Sequence, residues 1–270
     1  MTRFGQSGAE PVARTAIAEV WKVRRQTGEP AALKIYHDGQ FDGEAPGVIY
    51  LASLNGAAAA HVNDWVPGAV LSEWLEGPPL KDLSLSGQDT EANMQLAKVA
   101  LELRLNVRDD LHGLTSLEHR FRALFALRFD PLCPPDVTAD MRRATDIARH
   151  LLATQTDISP LHGDLHHDNI RFGARGWCAF DAKGLVGEWA YELANAFRNP
   201  QDVPHLVRSP GRIEATARMW AEMCSLEQTR LLSWAAAKCA LSIAWRAKGT
   251  LIQDKETDLL SRLLACLDAS

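Results

Sequence analysis

The 270-residue chain has no uninterrupted hydrophobic run long enough to cross a bilayer; its longest apolar stretch, Leu231 to Trp245, is broken by Ser233, Lys238 and Ser242. The first twenty residues, MTRFGQSGAEPVARTAIAEV, contain no apolar core of signal-peptide length, so a cytoplasmic protein is expected. Five cysteines, at 133, 178, 224, 239 and 266, form no CxxC pair and leave one over, which argues against a disulfide framework or a zinc knuckle. They read as small buried apolar residues. There is no block of Lys or Arg: 29 basic and 34 acidic residues are spread along the chain to a net charge of −5, so nucleic acid is not an expected partner. Two catalytic signatures are also missing. Without GxSxG there is no nucleophile elbow for a serine hydrolase, and without HExxH there is no helical zinc-protease motif.

What is present is the composition of an ordinary globular protein, 46% hydrophobic and 23% charged, of a length that fits one large domain or two unequal lobes. The front quarter has strand texture. Residues 18–25 (AEVWKVRR) and 31–36 (AALKIY) flank the turn-prone TGEP, and residues 59–65 and 68–75 suggest a second pair. Between the pairs, residues 43–54 place Glu44, Val48 and Leu51 on one helical face, although Pro46 and Gly47 weaken the pattern. After the stiff EGPPL at 76–80 the texture becomes helical, at 91–106, 117–129, 138–152 and in three further patterns from Arg212 onward. The expectation is an α+β protein with a small sheet lobe over residues 1–75 and a larger helical lobe over 76–270. Their joint should form a ligand-binding cleft.

One stretch in the helical half breaks the pattern. LHGDLHHDNI, residues 161–170, holds three histidines, two aspartates and an asparagine, and it precedes NIRF and WCAFD, two short strands around the turn GARG. A hairpin brings its ends together, so Asn169 and Asp181 should face one space, with Asp164 in the loop just before. His162, His166 and His167 raise the possibility of a transition-metal site. Gly163, Asp164 and Asn169 favour a loop, however, and a loop does not align H-x-x-x-H as a helix would. Phosphoryl transfer suits these side chains better, because it needs an aspartate to orient an attacking hydroxyl and hard oxygen ligands for Mg²⁺ on a nucleotide. In that reading Asp164 is the base, and Asn169 and Asp181 hold the metal. Lys34, apolar-flanked within AALKIY, is the lysine for the nucleotide phosphates, and Glu44 is its ion-pair partner.

These residues carry a resemblance. LHGDLHHDN followed by FDAKGLVGEWAYELANAFRNP is similar to the aminoglycoside phosphotransferase superfamily, and within it to the streptomycin 6-phosphotransferase and hydroxyurea phosphotransferase branch. The resemblance runs from Val20 to Trp245 and implies a protein-kinase-like bilobal fold with ATP in the cleft and Mg²⁺ as cofactor. It implies that Asp164 is catalytic, that Asn169 and Asp181 are metal ligands, that Lys34 and Glu44 form the phosphate-contacting pair, and that Glu73, Trp74 and Leu75 offer backbone contacts to adenine. It further implies loop-positioning roles for His162 and His166, a bracing helix position for Glu192, and an acceptor pocket near Asn195 and Arg198. The partner is then a small hydroxyl-bearing acceptor.

Three departures bear on function. The stretch corresponding to a glycine-rich loop, ARTAIAEVWKV at 13–23, has no glycine, which raises the alternative of a non-catalytic binding module. Ala182 and Lys183 follow Asp181 where relatives have proline. Arg246 and Lys248, with Arg208 and Arg212, run against the carboxylate-rich pocket that a polycationic aminoglycoside needs. If they face the pocket, a neutral or anionic acceptor such as a sugar becomes the better substrate.

Overall fold

The computed structural model describes residues 7–41 and 43–270, so the first six residues of the front segment lie outside the described residues. β1 (Ser7–Arg14), β2 (Ala18–Arg24) and β3 (Pro30–Tyr36) precede α1 (Ala45–Ser53), and β4 (Val62–Val66) and β5 (Ala69–Glu73) follow it. They form one antiparallel sheet in the order β1-β2-β3-β5-β4. The alternation of β3 explains its two faces. Ala31 and Leu33 join Val23 and Leu71 in a small apolar cluster, while Ala32, Lys34 and Tyr36 line a cleft on the other side. Pro46 and Gly47, which weakened the helical pattern, belong to the helix: the proline occupies its first turn, where no intrahelical N–H is needed. β1 had no sequence signal because every one of its residues is exposed.

The rest of the described chain comprises α2 (Lys81–Leu85), α3 (Asp89–Asn106), β6 (Thr115–Ser116), α4 (Leu117–Phe125), β7 (Arg128–Phe129), α5 (Pro135–Ala153), β8 (Ile158–Leu161), β9 (Ile170–Gly173), β10 (Gly176–Ala179), β11 (Leu185–Glu188), α6 (Pro204–Val207), α7 (Pro210–Cys224), α8 (Gln228–Ala247), β12 (Thr250–Leu251) and α9 (Thr257–Asp268). α8 is the central post, buried continuously from Trp234 to Ala244, as a helix apolar on all sides must be. Around it Phe121, Tyr191 and Trp234 pack with ring centroids 5.4–6.0 Å apart. Two local expectations are corrected. The helical pattern at 117–129 ends at Phe125, because Arg128 and Phe129 leave to pair in parallel with Thr250 and Leu251. The segment around YELAN is not a regular helix but two short 3₁₀ turns, with Glu192 closing the first.

The β9/β10 hairpin is the seam between sheet and helices. On one side Ala60 and Ala179 donate backbone N–H bonds to Ala179 and Ala58 carbonyls, both at 2.8 Å; on the other, Gly77 and Leu80 donate to Phe172 and Ile170 at 2.8 Å. Among the described residues no helix is long and apolar enough to cross a membrane, and all five cysteines are buried free thiols.

Candidate functional site

The loop between β8 and β9 is held from beneath by Glu192. Its buried carboxylate accepts the His162 N–H at 2.7 Å and the Gly163 N–H at 3.0 Å. Burial pushes this carboxyl up to about 7, and the two N–H bonds pull against that rise. His162 continues the brace. Its Nε2 donates to the Phe180 carbonyl at 3.0 Å and its Nδ1 accepts the Asp164 N–H at 3.3 Å, which requires the neutral Nε2–H tautomer. Burial, which drives the imidazole down to about 4, favours the same neutral form. His166 accepts the Asp168 N–H at 3.3 Å, and His167 faces inward to the Asn93 amide oxygen at 3.1 Å. The three histidines thus point to three different partners. Among the described residues no group of His, Cys, Asp or Glu side chains is arranged to hold a metal by itself.

Asp164 lies at the head of this loop. Asn195 Nδ2 donates to its Oδ1 at 2.9 Å, and Asn169 Nδ2 donates to its backbone carbonyl at 2.9 Å. Oδ2, with only a long 3.5 Å approach from Asn169, stays open to a further donor. Burial alone would raise this carboxyl, but His166, Lys238 and Lys183 outweigh it and hold Asp164 below the ordinary carboxylate value, so it is ionised. Because Asn169 spends its amide N–H on the loop, its Oδ1 is left as an acceptor. The Phe180 N–H closes the hairpin on the Asn169 carbonyl at 2.9 Å, bringing Asp181 to the same end. Asp181 has φ +59, a left-handed conformation that aspartate tolerates better than most residues.

Lys34, 147 positions away in sequence, meets Asp181 at 2.7 Å and lies 3.6 Å from Glu44. Its desolvation is overcome by Asp181, Tyr36 and Glu44, so the ammonium is held above its ordinary value; Tyr36 also offers its ring face at 5.1 Å. Lys183 takes the other oxygen of Glu44 at 2.6 Å. Sequence reasoning missed this second lysine, whose only signal was its place two residues after Asp181.

Two cavities flank the segment Asp181–Lys183, with Asp181 and Ala182 lining one and Lys183 the other. The first, about 310 Å³, lies under the sheet and is lined by Val20, Ala32, Lys34, Val70, Leu75 and Asp181, among others. The Leu75 N–H makes no hydrogen bond among the described residues, whereas the Glu73 N–H already donates to the His61 carbonyl at 2.8 Å and the Glu73 carboxylate is engaged by Arg175. Of the expected contacts to adenine, the N–H of Glu73 is therefore taken. The β1–β2 turn beside this cavity holds no glycine; there Thr15 Oγ1 accepts the Ala18 N–H at 3.0 Å and shapes the turn.

The second cavity, about 320 Å³, opens on Asp164 and is lined by Arg120, Lys183, Asn195, Arg198, Lys238 and Arg246, among others. Arg198 pairs with Glu256 at 2.8 Å, and Arg246 with Asp254 and Glu256 at 2.7 and 2.8 Å. Lys238 is buried, its one hydrogen-bond partner among the described residues being Ser242 at 3.2 Å, and burial drives its ammonium down to about 7. Its signal in the sequence was a single lysine inside an apolar helical run. Of the four cations flagged from sequence, Arg246 reaches this cavity, while Arg208 and Arg212 are turned to Asp258 and Asp89. Lys248 ends α8 in a left-handed turn outside the cavity lining.

Comparison with known proteins follows the same outline. A family model described as aminoglycoside/hydroxyurea antibiotic resistance kinase matches residues 6–249. Streptomycin 3''-kinase of Klebsiella pneumoniae is 37% identical over 230 residues, covering 82% of this chain and 81% of the relative. Among solved structures, aminoglycoside phosphotransferase APH(4)-Ia superposes with a TM-score of 0.65 at 15% identity, covering 100% of this chain and 96% of that one. Amicoumacin kinase hAmiN, in complex with AMP-PNP, Ca²⁺ and Ami, gives a TM-score of 0.62 at 15% identity over 97% and 88% of the two chains. At such identities these structures show a shared kinase-like α+β fold.

Proposed function

Because the chain belongs to the aminoglycoside/hydroxyurea antibiotic resistance kinase family, and is thus an ATP-dependent small-molecule kinase, we propose that it moves the γ-phosphate of ATP to a hydroxyl held beside Asp164. The observation that supports this reading is that two cavities flank the segment Asp181–Lys183, with Lys34 and Asp181 lining one and the open Oδ2 of Asp164 in the other. Residues 1–75 serve as the nucleotide lobe, with Leu75 offering its free N–H and Glu73 its place on the connecting strand. Residues 76–270 carry the catalytic loop and the acceptor site. The acceptor hydroxyl donates to Asp164 and attacks γ-phosphorus in line. The bond to the β–γ bridging oxygen breaks with its electron pair on ADP, and the proton passes to Asp164. A carboxylate held below its ordinary value is a weak base, which fits a loose transition state in which the proton leaves late.

The donor set near the phosphates is one carboxylate and one free amide oxygen, Asp181 and Asn169. Mg²⁺ is commonly held by few protein oxygens, with nucleotide phosphates and water completing its shell, so the residues fit that ion. When bound, Mg²⁺ would neutralise charge on the phosphates. A cytoplasmic location, where ATP is supplied, belongs to the same reading.

A streptomycin-like aminoglycoside is the first acceptor to test, since the relative named streptomycin 3''-kinase is similar over most of this chain. The cation-rich lining of the second cavity favours a second reading, a neutral or anionic polyhydroxyl acceptor, because a polycation would meet Arg120 and Lys238, with Asp164 as the carboxylate in that lining. The deciding experiment is mass spectrometry of streptomycin incubated with Mg-ATP and the purified protein, beside Asp164→Ala. A mass gain of one phosphate with the parent protein alone supports the first reading. No gain, with Mg-ATP binding intact, moves the acceptor to the neutral and anionic class.

A further inference from the structure

The geometry points to Lys183 as a catalytic cation that contacts the transferring phosphoryl group, an inference that rests on the phosphotransfer reading above. Lys183 stands at the border of the two cavities. Its side chain lines the acceptor cavity beside Asp164, while the carboxylate it touches at 2.6 Å, Glu44, lines the nucleotide cavity. Any phosphoryl group moving from a nucleotide near Lys34 to a hydroxyl near Asp164 crosses that border. Glu44 carries a lysine on each oxygen, Lys34 at 3.6 Å on one and Lys183 at 2.6 Å on the other, so the two ammonium groups are placed on either side of one anchor.

The placement is fixed by backbone, not by the side chain alone. The N–H groups of Lys183 and Gly184 both donate to the His162 carbonyl, at 2.7 and 3.2 Å, which ties this segment to the loop bearing Asp164. α1 presses on it from the other side: a Cβ on Gly47 would come 1.9 Å from the Ala182 carbonyl oxygen, and one on Gly184 would come 2.0 Å from that of Pro46. Asp164, Asp181 and Glu44 supply three negative charges around the path, against Lys34 and Lys183. A lysine that served only to neutralise Glu44 could lie anywhere around that carboxylate; this one faces the acceptor. In the transfer step it gives up no proton. Its charge stabilises the equatorial oxygens of the phosphoryl group while the new O–P bond forms and the bond to ADP breaks.

The test separates ground-state from transition-state binding and needs no knowledge of the acceptor. Calorimetric titration of the full chain with Mg²⁺ and AMP-PNP reads ground-state affinity; titration with Mg²⁺, ADP and aluminium fluoride reads affinity for a planar phosphoryl mimic. Lys183→Met should weaken the fluoride complex at least tenfold and AMP-PNP by less than threefold, and Lys183→Arg should restore most of the loss. Equal weakening of both ligands, or of neither, overturns the proposal and leaves the phosphotransfer reading standing. If the parent protein binds neither nucleotide complex, the phosphotransfer reading fails and this inference fails with it. Should Lys183→Met not fold, Lys183→Gln provides the same comparison.

Discussion

His167 shows how a residue that looks like a ligand in sequence can be a structural donor. Its Nε2 donates to Asn93, whose amide group donates in turn to Asp89, the partner of Arg212. Among the described residues the Nδ1 of the same ring has no hydrogen-bond partner and is sealed from water, and burial drives the imidazole down to about 3. The folded protein therefore holds the neutral ring, while the unfolded chain protonates near 6.5. Stability from this site is whole above pH 6.5 and is lost as pH falls toward 3, by about 1.4 kcal/mol per pH unit. Glu192, raised to about 7, acts with the opposite sign in part of this window, and His162, lowered to about 4, with the same sign, so the parent's own pH curve mixes all three. Replacing His167 by Gln keeps a donor for Asn93 and removes the titration. Urea midpoints from pH 7 to pH 4 should fall less steeply for His167→Gln than for the parent, with the two stabilities diverging in the variant's favour by about 1.4 kcal/mol per unit. Parallel curves would mean that the ring is not sealed as described.

At the scale of elements, α1 is the piece that couples the sheet to the site, because Glu44 stands at its N-terminal cap. Its docking is a backbone-to-backbone approach in which Gly47 and Gly184 leave no room for a methyl group. Gly47→Ala should therefore cost about 1–3 kcal/mol by overpacking and raise KM for ATP, since Glu44 moves with the helix. Gly211→Ala, in α7 and clear of neighbours, should be neutral or slightly stabilising and leave KM unchanged. Thermal melts and steady-state kinetics on both variants check this. The same contrast explains what could be read from sequence. β2 and β3 were legible because a half-buried strand must alternate, and β9/β10 because glycine marks its turn. β1 was not, being exposed throughout, and β11, buried but for Val186, with the fully buried 3₁₀ turns after it, shows no period. The nearness of Asn169 and Asp181 followed from one hairpin. That Lys34 meets Asp181 across 147 positions could come only from the resemblance, since no local pattern reports a contact between lobes.

For the whole molecule, the seam at β9/β10 has a consequence for nucleotide binding. The hairpin is bonded by backbone to residues 58–60 and 77–80, so the lobes are joined close to the site, and the Lys34–Asp181 pair spans the gap between them. Both members are partly exposed, at 22% and 39%, so the pair contributes little to stability by itself. On the proposed function, it occupies the two groups that phosphate and metal would require. On that reading, ATP without metal would compete with Asp181 for Lys34 and leave the carboxylate unpaired beside the phosphates, whereas Mg²⁺ would give Asp181 its own partner and free Lys34 for the phosphates. The parent protein should therefore melt only slightly higher with ATP and EDTA, and much higher with Mg-ATP. At a hundredfold excess over Kd the added stability is about 2.7 kcal/mol, or roughly 2–4 °C per kcal/mol for a protein near this size. In Asp181→Ala the repulsion and the charged metal ligand vanish together, so ATP should give nearly the same moderate shift with or without Mg²⁺. A variant whose melting temperature still rose sharply with Mg²⁺ would place the metal on other residues, and Asp181 would then be a partner of Lys34 alone.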